Sequence, residues 1–225
     1  AKGTYITFLD SDDIYYPDYL SNAYESINKY DSPVFFHQAY ESYDALADKS
    51  LKKFSVKNDD VFSLVKGNHL SCLGIFLKRD DIASYRFNED RNLAGSEDWE
   101  LWLRIASRFG IKTDDRVSAA LIIHDNRSVL SYDENKLLHR KNLALSYSFQ
   151  DSNVISKFGK YRRVMEAYCD TYIALHLALS ANNRKAIKYL FISFSYYPDV
   201  LFSKRALAII KFVVLNVLRL RSKTA

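Results

Sequence analysis

The chain has 225 residues, 48% of them hydrophobic and 26% charged, so it can bury a full core and is no disordered tail. Its net charge of +5 is concentrated at one end: Lys204, Arg205, Lys211, Arg219, Arg221 and Lys223 face only Asp199, and the residues before them balance. That excludes a broadly basic nucleic-acid-binding face. Cys72 and Cys169 are too few and too far apart for a disulfide framework or a zinc site, which makes a reducing compartment the default.

The chain opens at Ala1-Lys2-Gly3 without an initiator Met or a signal peptide and runs straight into an apolar stretch, as the middle of a domain would. Thr4 to Leu9 is apolar enough for an interior strand. Pro17 suits the first turn of a helix, with Leu20, Ala23, Ile27 and Tyr30 at helical spacing. Asp31-Ser32-Pro33 ends it, and Val34 to Tyr40 reads as a second strand. Asp44 to Asp60 is polar and lysine-rich, a surface excursion, and Val61 to Val65 is a short helix stopped by Gly67-Asn68.

Leu73 to Leu77 is a third strand, and Glu89 to Ser96 a loop. Asp98 to Phe109 reads as a helix with Trp99, Trp102, Ala106 and Phe109 on one stripe, a Glu100–Arg104 pair at i,i+4 and Gly110 as its stop. Val117 to Ile123 is a fourth strand leading to His124. Strands interleaved with helices predict an α/β layered domain. Beyond Tyr132 the pattern is all-helical, over Leu137 to Phe149, Tyr161 to Leu179, Lys185 to Phe194 and Lys204 to Leu218, the last two arranged as a hairpin. None of these is long enough to span a bilayer, since Lys211 and Asn216 interrupt the best stretch, Ala206 to Leu218.

Two clusters carry chemistry. Asp10, Asp12 and Asp13 stand together where the first strand leaves the core. Three close carboxylates repel one another, which a divalent cation with oxygen ligands would relieve, or which an acidic turn capping the next helix would accommodate in solvent. Glu97 and Asp98 open the Trp-anchored helix after Gly95, either as acids matching the helix dipole or as a carboxylate base at the lip of a pocket. His37, His69, His139 and His176 read as structural or surface residues, although Asn68-His69, just before a strand, could line the acceptor side.

The string Gly3-Thr4-Tyr5-Ile6-Thr7-Phe8-Leu9-Asp10-Ser11-Asp12-Asp13, followed by Pro17, resembles the Asp-x-Asp segment of family 2 glycosyltransferases. Glu97-Asp98-Trp99-Glu100-Leu101-Trp102-Leu103-Arg104 resembles their second acidic motif, and His124-Asp125-Asn126-Arg127-Ser128-Val129-Leu130-Ser131 their later His-x-x-x-Ser-x-x-Ser region. The resemblance implies a partial GT-A (Rossmann-like) nucleotide-diphospho-sugar transferase domain over residues 1–133. Its first βαβ half, which holds the nucleotide base, is lacking, so the chain alone is expected to bind donor poorly. An all-α region, 134–225, follows.

The implied reaction is inverting transfer of a sugar from a nucleotide-sugar donor, a UDP-sugar foremost, to a hydroxyl of a saccharide or lipid-linked acceptor, in cell-surface polysaccharide or glycan synthesis. Asp12 would ligate Mn²⁺ or Mg²⁺, with Asp10 beside it and His124 approaching from the other side. Asp13 would join this donor-binding group or cap the next helix. Asp98 would be the base and Glu97 its support or an acceptor contact.

The basic, apolar stretch 204–221 would suit peripheral contact with an anionic membrane, placing the protein in the cytoplasm at the inner face of the plasma membrane, or would be a plain packing helix. The alternatives are a degenerate, non-catalytic glycan- or membrane-complex-binding protein, against which the intact acids speak, and a phosphoryl-transfer enzyme, for which no phosphate-cradling glycine loop is present.

Overall fold

A computed structural model describes residues 1–56, 59–123 and 133–224, with side chains placed as far as residue 218. The α/β part contains β1 (Tyr5–Ile6), β2 (Ile14–Tyr15), α1 (Tyr19–Lys29), β3 (Phe35–Asp44), β4 (Lys49–Phe54), β5 (Ile75–Lys78), α2 (Glu97–Phe109) and β6 (Lys112–Ile122). The helical part contains α3 (Glu134–Ser148), α4 (Ser152–Phe158), α5 (Arg162–Leu179), α6 (Asn183–Tyr196) and α7 (Lys204–Thr224).

One mixed sheet runs in the order β1-β5-β3-β6-β2, with β4 also on β3. Only β3 and β6 are parallel; the remaining pairs are antiparallel. β3 is the central strand because both of its faces are apolar. Phe35 packs with Ile75, Leu77 and Trp102 of the α2 side, and Phe36 with Tyr19, Ala23 and Phe76 of the α1 side. The sheet therefore lies between α1 and α2, three layers deep.

Several elements differ from the sequence expectation. The first strand is not interior: only Tyr5–Ile6 pair, at one end of the sheet against β5. Its continuation stops pairing because Phe8 O accepts a hydrogen bond from Tyr15 Oη at 2.7 Å and Thr7 Oγ1 lies 2.7 Å from Tyr19 Oη. The lysine-rich excursion is the outer arm of a hairpin, β4, whose residues Lys49 to Lys53 are exposed. β6 starts at Lys112, earlier than Val117, and β2 and α4 carry too few residues for a periodicity to show.

The helical part continues the α2-side core. Ala144 and Leu145 of α3, Phe158 of α4 and Met165 of α5 share a cluster with Trp99 and Trp102. A second cluster, with Leu137, Ile173, Leu177, Tyr189 and Ile209, joins α3, α5, α6 and α7. Among the described residues no helix is long and apolar enough to cross a membrane.

Candidate active site

The acidic turn after β1 is closed by Asp13 N donating to Asp10 O at 3.1 Å. Tyrosines hold its approach: Tyr15 and Tyr19 stack with centroids 3.6 Å apart, and Tyr19 Oη donates to Leu73 O at 2.9 Å. These contacts fasten the turn beside the Cys72–Gly74 segment that precedes β5. Asp10 and Asp12 are exposed, while Asp13 is half-buried. Asp13 Oδ1 accepts from Ile122 N at 3.0 Å, so this carboxylate ties the turn to the last residue of β6.

Gly95, at φ 83°, lets the chain turn sharply into α2. Glu97 curls back over that turn, its Oε2 accepting from Gly95 N and, at 2.9 Å, from Ser96 N. Asp98 Oδ1 accepts from Trp99 N at 2.7 Å and Oδ2 from Asn68 Nδ2 at 2.6 Å. Both tryptophans anchor the helix as expected: Trp102 is fully buried, and Trp99 Nε1 donates to Leu64 O at 3.1 Å. The expected Glu100–Arg104 pair forms with Nε to Oε1 at 2.7 Å.

Burial raises the Asp98 carboxyl to about 6, against the pull of Trp99 N–H, Asn68 and, more weakly, Lys141. The two acidic clusters meet at Cys72. Its thiol is pushed up first by burial and then by the charges of Asp98, Asp10 and Glu97. Asp10 and Asp98, more than 80 residues apart in sequence, thus act on one thiol.

Asp10 and Asp12 supply exposed, hard oxygen donors of the kind that Mg²⁺ or Mn²⁺ takes when phosphates complete the coordination. Among the described residues no group of three His, Cys, Asp or Glu side chains is arranged to hold a metal by itself. A cation there fits as one shared with a ligand. His124 and the His124–Ser131 motif lie outside the described residues.

His69 is held between Ser63 Oγ at 3.0 Å and Gly67 O at 3.2 Å, which makes it a structural residue of the loop that presents Asn68. His37 is wholly buried and its imidazole is driven down to about 3 by that burial, so it stays neutral. Sequence reasoning missed the basic residues behind α2. Lys141 Nζ donates to Ser96 Oγ at 3.2 Å, and Arg140 Nη1 to Ala94 O at 3.2 Å. Their only sequence signal was basic character on a helix of unremarkable pattern.

Residues 1–89 match the family model described as glycosyl transferase family 2. The match includes the Asp10–Asp13 turn and Asn68 and ends before Glu97. No curated protein matches the chain. With its mixed sheet between α1 and α2 and the helices that follow, the fold is a partial GT-A-like α/β domain with a helical C-terminal part, whose residues 1–89 are similar to glycosyl transferase family 2.

Proposed function

We propose that this chain carries the catalytic acids of a metal-dependent, inverting glycosyltransferase that moves a sugar from a nucleotide-diphosphate donor, a UDP-sugar foremost, to an acceptor hydroxyl. The observation that carries the reading is the placement of Asp98. Its carboxylate stands at a rigid helix start, oriented by Asn68, and acts on the same thiol as Asp10 of the family's acidic turn. With its carboxyl at about 6, Asp98 is ionised near neutral pH yet basic enough to take a proton from an attacking hydroxyl. Inversion in one displacement needs one such base on the acceptor side.

Asp12 and Asp10 would hold Mn²⁺ or Mg²⁺, which when bound would offset the charge gathering on the departing nucleotide diphosphate. Glu97 keeps the Gly95–Ser96 turn in place and so fixes the direction in which Asp98 points. Asp13 does the same for the acidic turn by its bond to Ile122 N.

The acceptor is proposed to be a saccharide or lipid-linked glycan of the cell surface, met at the inner face of the plasma membrane. In support, α7 exposes Leu207, Ile210, Val214, Val217 and Leu218 together with Lys204 and Lys211. Ile210→Glu with Val214→Glu should abolish co-sedimentation with anionic vesicles; unchanged sedimentation would remove the membrane contact.

A screen of nucleotide sugars with Mn²⁺ or Mg²⁺ tests the chemistry. Asp98→Asn should lose transfer but keep metal-dependent donor binding, and Asp12→Asn should lose both. Undiminished transfer by Asp98→Asn would end the reading.

A further inference from the structure

Behind the start of α2, three basic side chains from two helices, α3 and α7, converge on one ring of α5. Lys141 Nζ of α3 lies 4.4 Å from the centroid of Tyr172, the Arg205 guanidinium of α7 lies 6.0 Å from it, and Arg140 Nη2 is 3.4 Å from Tyr172 Oη. Arg140 and Lys141 are each only 7% exposed. Among the described residues none of the three has a carboxylate within ion-pair distance. Their partners are neutral: Ala94 O, Ser96 Oγ, Tyr168 O, Thr171 Oγ1 and the faces of Trp99 and Tyr172. Among the described residues Arg140 Nε is buried with no hydrogen-bond partner.

Desolvated like charges are costly unless something of opposite sign offsets them. The three repel one another: after burial, Arg140 and Arg205 are what lower the Lys141 ammonium, and Asp98 is the carboxylate that acts the other way. The cluster also touches the two loops that build the acceptor side. Arg140 Nη1 comes within 2.8 Å of where a Cβ on Gly95 would stand, and Arg205 Nη2 within 3.5 Å of one on Gly67. Both glycines have positive φ, so no ordinary side chain would occupy those places without strain. Gly95 leads to Asp98, and Gly67 to Asn68.

We infer that Arg140, Lys141 and Arg205 form an anion subsite beside Asp98 that takes a phosphate group carried by the acceptor. A phosphate, with close to two negative charges and several acceptor oxygens, matches two guanidinium forks and an ammonium better than a single carboxylate does. The inference rests on Asp98 being the acceptor-side base. It deepens that reading by naming the acceptor's class, a phosphorylated sugar or a phosphate-bearing lipid carrier.

The test is a calorimetric titration of inorganic phosphate into the wild-type chain without metal, so that no metal-bridged donor site takes part. Binding is expected. Lys141→Met and the more conservative Arg205→Lys should each weaken it about tenfold or more, while Lys49→Met on the exposed hairpin leaves it unchanged. Circular dichroism checks that each variant folds, and Arg205→Lys keeps the test open if Lys141→Met does not. No binding, or binding indifferent to both variants, overturns the subsite.

Parallel titrations with a soluble sugar phosphate and with vesicles carrying a polyprenyl phosphate separate the two sources. Tighter binding than inorganic phosphate in either names the source, and no gain in both overturns the assignment to the acceptor. Transfer by Asp98→Asn is read separately: if it persists while phosphate binding depends on Arg205, the base reading fails and the subsite stands.

Discussion

Asn68 Nδ2 donates to Asp98 Oδ2 at 2.6 Å, while Asn68 Oδ1 accepts from Leu70 N at 3.2 Å. The amide is thus fixed from both ends and holds the carboxylate in one orientation. Burial drives Asp98 up to about 6 and the Asn68 bond opposes it, because a donor favours the ionised form. Asn68→Ala should therefore raise the Asp98 midpoint further, read by carbon NMR of the labelled carboxyl. The acid limb of any transfer activity should move to higher pH with it. A midpoint that stays or falls would show that Asn68 does not bear on the base.

Asp13 acts through its backbone partner. Its Oδ1 accepts from Ile122 N at 3.0 Å, beside the short β2–β6 pairing of Ile14 with Ala120. Asp13→Ala leaves that N–H without its acceptor and should cost about 1–3 kcal/mol in urea denaturation. Asp13→Asn keeps an acceptor oxygen and should cost much less. Equal losses in the two variants would mean that the charge, not the bond, is what the fold uses.

The α2 platform was readable because its pattern is local: tryptophans at 3.6-residue spacing, a glycine at each end and an i,i+4 ion pair. The acidic turn was readable for the same reason. What periodicity could not show is where the first strand sits. An apolar run looks alike in the middle of a sheet and at its end, and here tyrosine hydroxyls, not a second neighbour strand, take up Thr7 and Phe8. The hairpin arm β4 escaped because its residues are mostly exposed lysine and serine, which alternate in no hydrophobic sense. The cationic cluster is a purely tertiary feature. Arg140 and Lys141 are neighbours in sequence, but Arg205 and Tyr172 are far from them, and only the packing of α3, α5 and α7 gathers the three cations round that ring.

Glu100 is 2% exposed, and Arg104 meets it twice, Nε at 2.7 Å from Oε1 and Nη2 at 2.9 Å from Oε2. Arg104 Nη2 also donates to Arg86 O at 2.8 Å, closing the loop before α2 over the helix. Removing one partner strands the other charge in the core, so Arg104→Met should cost about 3–5 kcal/mol. The double variant Arg104→Met with Glu100→Met removes the stranded charge and should recover much of the loss. Additive losses in the double variant would show that the pair is not coupled.

Lys141 gives the fold a pH signature. Burial lowers its ammonium from the usual 10.5 to about 8, with Arg140 and Arg205 adding to the effect. Between those values the unfolded chain binds the proton and the folded chain does not, so this group's contribution to stability rises with pH across that window. Below about 8 the full cost of holding the charge is present, and above 10.5 it is gone. The buried thiols of Cys72 and Cys169 run the other way, because burial raises both and the unfolded chain loses those protons first. The comparison must therefore be between Cys169→Ser and Cys169→Ser with Lys141→Met, because Lys141 pulls the Cys169 thiol down and only the Cys72 thiol would otherwise cancel. Methionine keeps the apolar stem against Trp99 and Tyr172 without the charge. The double variant should be the more stable protein at neutral pH, and its lead should shrink as pH rises from about 8 towards 10.5. Urea denaturation at several pH values measures this; a difference independent of pH would mean that Lys141 is not held at a cost.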